Sequence, residues 1–419
     1  MKIYLLLILI FVNSCSTYNE LRDKTNNENG KDQIDKPTVL LISIDGYRFD
    51  YTKKYNPPNI TKFISDGTSS KGIIPIYPSK TFPNHYAIAT GMYAENHGLV
   101  SNDFYSPTRK QFYSLRNRKT VQDGTWYKGI PLWILAEQNQ MLSASYFFVG
   151  SDANIMGMHP HYYYNYNQST PNSERVDTVI KWLNKDKFKR PHFLTLYFSD
   201  VDSAGHHYGP NSLETKEAVL NVDKALGELF KKIKNVKAKN INIIIVSDHG
   251  MEEVIAPKYF QYLSDFIDIQ KNIVTSSGSH LNVYIKNKKN INKVYKKLKN
   301  LKHANVFLKK NVPVDYHYKK SNVIGDIIIS AKNHYYILKK RRASDLIKNK
   351  YRKGTHGYEP KLTPNMKGIF YAKGSQIKSV GEIKSFENIH VYPFIAEILK
   401  LKIHHKIDGK LDTLKFLLK

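Results

Sequence analysis

A single cysteine, Cys15, stands among the 419 residues, so no disulfide framework inside the chain holds the fold together. Small disulfide-stapled scaffolds are excluded, and a chain of this length can bury a sizeable core without staples. Carboxylates are scarce: 36 Asp and Glu against 64 Lys and Arg give a formal net charge of +28. Lysine is spread along the chain, with a concentration between Lys286 and Lys350. This spread fits a compositional bias towards Lys, Asn and Ile as well as it fits selection for a polyanion. No specific nucleic-acid partner is therefore expected, although a positive field raises encounter rates with anionic substrates.

Long apolar runs are also few. Ile3 to Val12 is one, preceded by Lys2 and followed by Asn13-Ser14-Cys15; it is too short for a stop-transfer helix and reads as an export signal over residues 1–15. Val12, three residues before Cys15, resembles the lipobox of bacterial lipoproteins, which implies a lipid anchor on Cys15 and a membrane partner. Asn13 departs from the small residue usual there, and ordinary secretory cleavage is the other reading. Either one places the mature chain outside the cytoplasm, in the cell envelope or periplasm. Residues 16–36, rich in Asn, Asp, Lys and Glu, read as a flexible solvated tether.

What the chain does contain is a set of β-branched runs with acids and histidines at their carboxyl ends. Val39 to Ile44 ends in Asp45-Gly46, Phe193 to Phe198 leads to Asp202 and His206, and Ile241 to Val246 ends in Ser247-Asp248-His249-Gly250. Such runs read as strands buried on both faces, and ligands of parallel sheets bind beyond the strands' carboxyl ends. Helical spacing between them, over 131–140, 172–183 and 212–233, makes the pattern that of an α/β fold with a mostly parallel central sheet and helices on both faces. Residues 37–419 read as one catalytic domain, with a less regular, lysine-rich inserted subdomain over about 253–351. Clustered carboxylates and imidazoles are what zinc-type hydrolytic chemistry requires, and two such sets point to a two-metal site.

Each candidate also has a plain reading. Thr81 lies beside Pro83 at the start of a short helix closed by Gly91, where it serves as a nucleophile or as a cap. Asp45 before glycine is a ligand or a turn residue. Asp202 and His206, four apart, can face one ion, although Gly205 and Gly209-Pro210 favour a turn. Asp248-His249 and His356 are ligands or loop residues, and Asn102 is a phosphate contact or a turn residue.

Taken together, Asp45-Gly46, Pro78-Ser79-Lys80-Thr81-Phe82-Pro83-Asn84-His85, Gly91 to Gly98, Asn102, Asp202 with His206, Ser247 to Met251, Gly354 to Tyr358, Glu387-Asn388 and Tyr392-Pro393 resemble the nucleotide pyrophosphatase/phosphodiesterase family of the alkaline phosphatase superfamily. The resemblance implies an alkaline-phosphatase-like fold and two zinc ions. One would be held by Asp202, His206 and His356, the other by Asp45, Asp248 and His249 together with Thr81. It further implies a phosphothreonine intermediate on Thr81, a phosphate contact from Asn102, and hydrolysis of nucleotide phosphodiester or pyrophosphate bonds to a nucleoside monophosphate. The base would stack between Phe82 and a later tyrosine, best matched by Tyr166 in the run Tyr162 to Tyr166. Tyr197 is a further candidate for the substrate pocket. Other phosphoesters at the same site, or a non-catalytic polyanion-binding lipoprotein, are the rival readings.

Overall fold

The computed structural model describes residues 20–23, 25–255, 258–276, 278–340 and 353–419. The export signal with Cys15, and the first residues of the expected tether, lie outside them. Among the described residues no helix is long and apolar enough to cross a membrane.

A nine-stranded sheet forms the centre. Its strands in chain order are β1 (Leu21–Arg22), β2 (Thr38–Ile44), β3 (Thr68–Ser70), β4 (Ser143–Tyr146), β5 (Tyr162–Tyr163), β6 (Phe193–Phe198), β7 (Ile241–Val246), β12 (Phe370–Gly374) and β13 (Gly381–Ile383), once β8 to β11 are reserved for the inserted sheet described below. The spatial order is β1-β5-β4-β6-β2-β7-β12-β3-β13. β5, β4, β6, β2 and β7 run parallel, and β12 turns antiparallel against β7. Alternation along the central strands separates two cores. Val39, Leu41, Ile244 and Val246 face one side, while Leu40, Ile42, Ile44, Ile243 and Ile245 face the other. The principal helices in chain order are α1 (Pro58–Ser65), α2 (Thr81–Thr90), α3 (Leu132–Gln138), α4 (Asn172–Leu183), α5 (Asp200–Tyr208), α6 (Leu213–Lys232), α7 (Ile291–Leu298) and α8 (Val391–Ile398), of which all but α7 lie against the central sheet or its strand ends. Residues of α2, α3 and α8 join the first core, and those of α1, α4 and α6 the second.

Three expectations need correction. Residues 20–36, read as a tether, lie along the sheet edge where described: β1 pairs with β5, and buried Asn29 bonds Lys187 O, Arg190 O and Leu142 N. Backbone pairing of β1 at the sheet edge and the side-chain hydrogen bonds of Asn29 to neighbouring loops thus fix a segment with no apolar periodicity. The described part of the region 253–351 is also more regular than its sequence suggests. β8 (Asn272–Thr275), β9 (His280–Ile285), β10 (Ala304–Leu308) and β11 (Ile327–Ala331) form an antiparallel sheet in the order β8-β9-β11-β10, with Leu281, Val283, Ile327 and Ile329 packing with Leu298 of α7. Finally, Asp202 to His206 is not a turn. It lies in α5, whose residues run through Gly205; a Cβ on Gly205 would press on the Met251 side chain at 3.2 Å, and Gly354 approaches the Gly205 carbonyl closely.

Candidate metal centre

Three parallel strands end on one edge and deliver the acidic groups there. β2 hands on Asp45, β7 hands on Asp248 and His249, and β6 leads directly into α5 with Asp202 and His206. Gly46 adopts a φ of +68°, and a Cβ placed on it would come within 2.8 Å of the Asp202 Cα. Only glycine combines that backbone conformation with so close an approach of α5. Its N–H donates to Asp248 Oδ1 at 3.2 Å. His356 returns to this edge on the chain after the Gly354–Thr355 strand, and Thr81 begins α2.

The predicted ligands fall into the two expected groups, Asp202 with His206 and His356, and Asp45 with Asp248 and His249. In the first, Asp202 Oδ1 lies 3.4 Å from His206 Nε2 and 3.8 Å from His356 Nε2. In the second, His249 Nε2 lies 3.5 Å from Asp45 Oδ1 and 3.0 Å from Asp248 Oδ2. The His249 and His356 rings stack at 3.5 Å, so the groups adjoin. Every one of these histidines directs Nδ1 to a backbone carbonyl: His206 to Gly354, His249 to Gly250 and His356 to Ser79, at 2.7, 2.9 and 2.8 Å. Donation from Nδ1 leaves each Nε2 facing the carboxylates, the arrangement that orients imidazole ligands around an ion.

The electrostatics agree with that fit. Asp45 Oδ1, Asp202 Oδ1 and Asp248 Oδ2 are buried without a hydrogen-bond donor, which is costly unless a cation or proton compensates. Burial, then the neighbouring Asp248 and Asp202 charges, push the Asp45 carboxyl far above the usual range. Burial opposes ionisation of Asp248 as well, but the charges of His249 and His85 outweigh it and hold that carboxyl low. For His249 burial is outweighed by the Asp248 charge, and its imidazole is pushed up. The group thus attracts positive charge, and mixed carboxylate and imidazole donors suit a zinc-type ion.

Thr81 Oγ1 sits 3.2 Å from His249 Nε2, and no side-chain cap bond is made at the start of α2. Its hydroxyl is therefore aimed at the second group rather than spent on capping. Asn102 Oδ1 accepts the Phe82 N–H at 2.9 Å, which ties Asn102 to the residue next to Thr81 and leaves its amide nitrogen as the donor end of the side chain. Phe82 is partly buried, its ring edge-on to Tyr113. Within the tyrosine run, Tyr162 and Tyr164 are buried, whereas Tyr166 is 37% exposed and its ring lies edge-on to Phe147 and Tyr197. Tyr197 is buried, and its hydroxyl donates to Asp45 Oδ2 at 2.7 Å; a buried phenol needs an acceptor, and that carboxylate is the one at hand. Its ring also meets that of Tyr166 at 6.0 Å, so Tyr197 joins the Asp45 carboxylate to the tyrosine run.

Sequence reading assigned no role to His85, Ser79 or Lys80. His85 is fully buried between Ser43 Oγ at 2.8 Å and Asp248 Oδ2 at 3.2 Å, and also meets Thr81 O at 3.0 Å. Its position four residues after Thr81, one helical turn on, was the available signal. Ser79 O receives His356, and Lys80 Nζ donates to His356 O at 2.8 Å.

A family model described as type I phosphodiesterase / nucleotide pyrophosphatase matches residues 39–359, which include every ligand candidate. The chain belongs to that family. It is 34% identical over 400 residues to ectonucleotide pyrophosphatase/phosphodiesterase family member 1 of Mus musculus, covering 92% of this chain and 43% of that protein. It is 33% identical over 383 residues to venom phosphodiesterase 2 of Crotalus adamanteus, covering 88% and 46%. The chain thus spans under half the length of these curated relatives. Among solved structures, murine ectonucleotide pyrophosphatase/phosphodiesterase 5 superposes with a TM-score of 0.84 at 28% identity, covering 91% of this chain and 100% of that one. An inactive form of the same murine protein in complex with AMP matches with a TM-score of 0.84 at 28% identity, covering 92% and 100%. The fold is alkaline-phosphatase-like.

Proposed function

We propose that this family member is a two-zinc hydrolase of phosphodiester and pyrophosphate bonds in nucleotides, releasing a nucleoside monophosphate. The observation that carries the reading is the pairing of two buried acid and imidazole groups with the Thr81 hydroxyl at a helix start. Zinc held by Asp202, His206 and His356, and by Asp45, Asp248, His249 and Thr81, would supply Lewis acidity that favours the threonine alkoxide and neutralises charge on the transferred phosphoryl group.

The chain's own groups then do the rest. Thr81 Oγ1 forms a bond to phosphorus as the bond to the leaving oxygen breaks, giving a phosphothreonine that water hydrolyses. The amide of Asn102 donates to a non-bridging oxygen, and the start of α2 favours the anion through its dipole. Phe82 and Tyr166 receive the base; the AMP complex of the murine neighbour supports a nucleotide as ligand. Tyr197, His85 and the carbonyls of Gly354, Gly250 and Ser79 hold the ligating side chains in orientation. An export signal over residues 1–15 with a lipid anchor on Cys15 would put this activity at the cell envelope; Cys15→Ser should then release the protein from the membrane fraction.

The deciding experiment measures metal content and turnover of the zinc-loaded chain on a nitrophenyl nucleotide diester and on nitrophenyl phosphate. Two zinc ions per chain and a clear preference for the diester are expected. Preference for the monoester, or full activity in chelator, would overturn the assignment.

A further inference from the structure

Arg175 of α4 is buried, with 2% of its surface exposed, yet among the described residues no carboxylate pairs with it. Its guanidinium is spent on carbonyls. Nε and Nη2 donate to Thr170 O at 3.1 and 2.9 Å, Nη2 reaches Gln168 O at 3.3 Å, and Nη1 donates to Tyr197 O at 2.8 Å. Two of these carbonyls lie in the segment just after Tyr166. The third belongs to the strand whose Tyr197 hydroxyl holds Asp45. The cation also stands over the Phe147 ring at 5.2 Å, and that ring meets Tyr166 edge-on at 5.2 Å.

Phe147 carries independent evidence of a constraint. It has a φ of +61°, a left-handed conformation that a bulky residue adopts only where its surroundings enforce it. The strain directly follows β4 and turns the ring into the gap between Arg175 and Tyr166. A buried cation that no described carboxylate pairs with and an aromatic at positive φ are both costly for mere packing, through desolvation in the first case and backbone strain in the second. Both converge on one side chain, the exposed Tyr166.

We propose that Arg175 and Phe147 form a mount that fixes the Tyr166 ring, making Arg175 a positioning residue for base recognition and locking that ring to the strand end that orients Asp45. The inference rests on the nucleotide reading above. A fixed ring loses little freedom when a base stacks on it, so the mount converts stacking into affinity.

The test uses the zinc-loaded full chain and measures the affinity of AMP and of inorganic phosphate by calorimetry. Arg175→Met should weaken AMP about tenfold, part of what base stacking supplies, with phosphate affinity and zinc content unchanged. Arg175→Lys should fall between, because a single ammonium cannot bridge three carbonyls. In a Tyr166→Ala background Arg175→Met should add no further loss. Equal weakening of AMP and phosphate, or full additivity with Tyr166→Ala, would mean a general structural role and overturn the proposal. Should Arg175→Met fail to fold, Phe147→Leu decides: it should reproduce the AMP-selective loss, and unchanged AMP affinity sinks the idea. Wild type that binds phosphate but not AMP would refute the nucleotide reading itself, a result distinct from any failure confined to the variants.

Discussion

Thr81 illustrates how one side chain is decided by its neighbour. As a cap it would bond the first turn of α2; instead its hydroxyl meets His249 Nε2 at 3.2 Å. Thr81→Ala is therefore expected to cut turnover by about three orders of magnitude or more while zinc content stays near that of wild type, because three acids and three imidazoles remain. Turnover within a few-fold of wild type would reduce Thr81 to a helix-start residue. The second decisive residue, Gly46, has no side chain at all. Its φ of +68°, and the 2.8 Å at which an added Cβ would meet Asp202 Cα, exclude a methyl group, so Gly46→Ala should lower stability by roughly 1–3 kcal/mol and weaken zinc binding. Denaturant unfolding with and without zinc gives the measurement, and a wild-type midpoint in both conditions would contradict it.

At the scale of elements, the catalytic edge exists because strand ends and helix starts meet there, while the opposite flank of the sheet is closed by the amino-terminal segment. Glu137 in α3 joins the pieces on that flank. Its carboxylate accepts from Asn26 Nδ2, Ser143 N, Ser143 Oγ and His161 N, yet burial dominates and pushes its pKa up to about 7. The folded chain then keeps a proton that the unfolded chain releases above the ordinary glutamate value. This contribution to stability is complete below that ordinary value and is lost as pH rises through about 7. Unfolding midpoints followed across that window should fall with pH in the wild type and show a smaller slope in Glu137→Gln. An unchanged slope in the variant would assign the titration to another group.

For the whole molecule, Asp45, Asp202 and Asp248 each leave a buried oxygen without a hydrogen-bond partner at the strand-end edge of the sheet, a cost that the burial of the apolar cores has to outweigh. Ions that bind only the folded chain add stability by mass action. Chelation should therefore abolish diesterase activity and lower the melting temperature together, and restoring zinc should recover both. A chelated protein that melts at the holo temperature would show that the acid groups are balanced without metal.

The sequence by itself determined the parts of this protein that are local in the chain. Six-residue β-branched runs specify buried strands, their terminal Asp and His residues follow as a matter of register, and the helix over Asn172–Leu183 is legible from its period. The spaced motifs then identified all six acid and imidazole ligand candidates. Tertiary structure alone decided what depends on groups distant in sequence. Strand pairing of Leu21–Arg22 and the hydrogen bonds of Asn26 and Asn29 hold the described amino-terminal residues despite their polar composition, and α5 continues through Gly205 beside Met251 and Gly354. The Asp45 carboxylate captures the Tyr197 hydroxyl across 152 residues. Which tyrosine of a run stays exposed, and which buried arginine steadies it, likewise follow from packing between elements, because burial and hydrogen-bond satisfaction are set by the whole surrounding volume rather than by sequence neighbours.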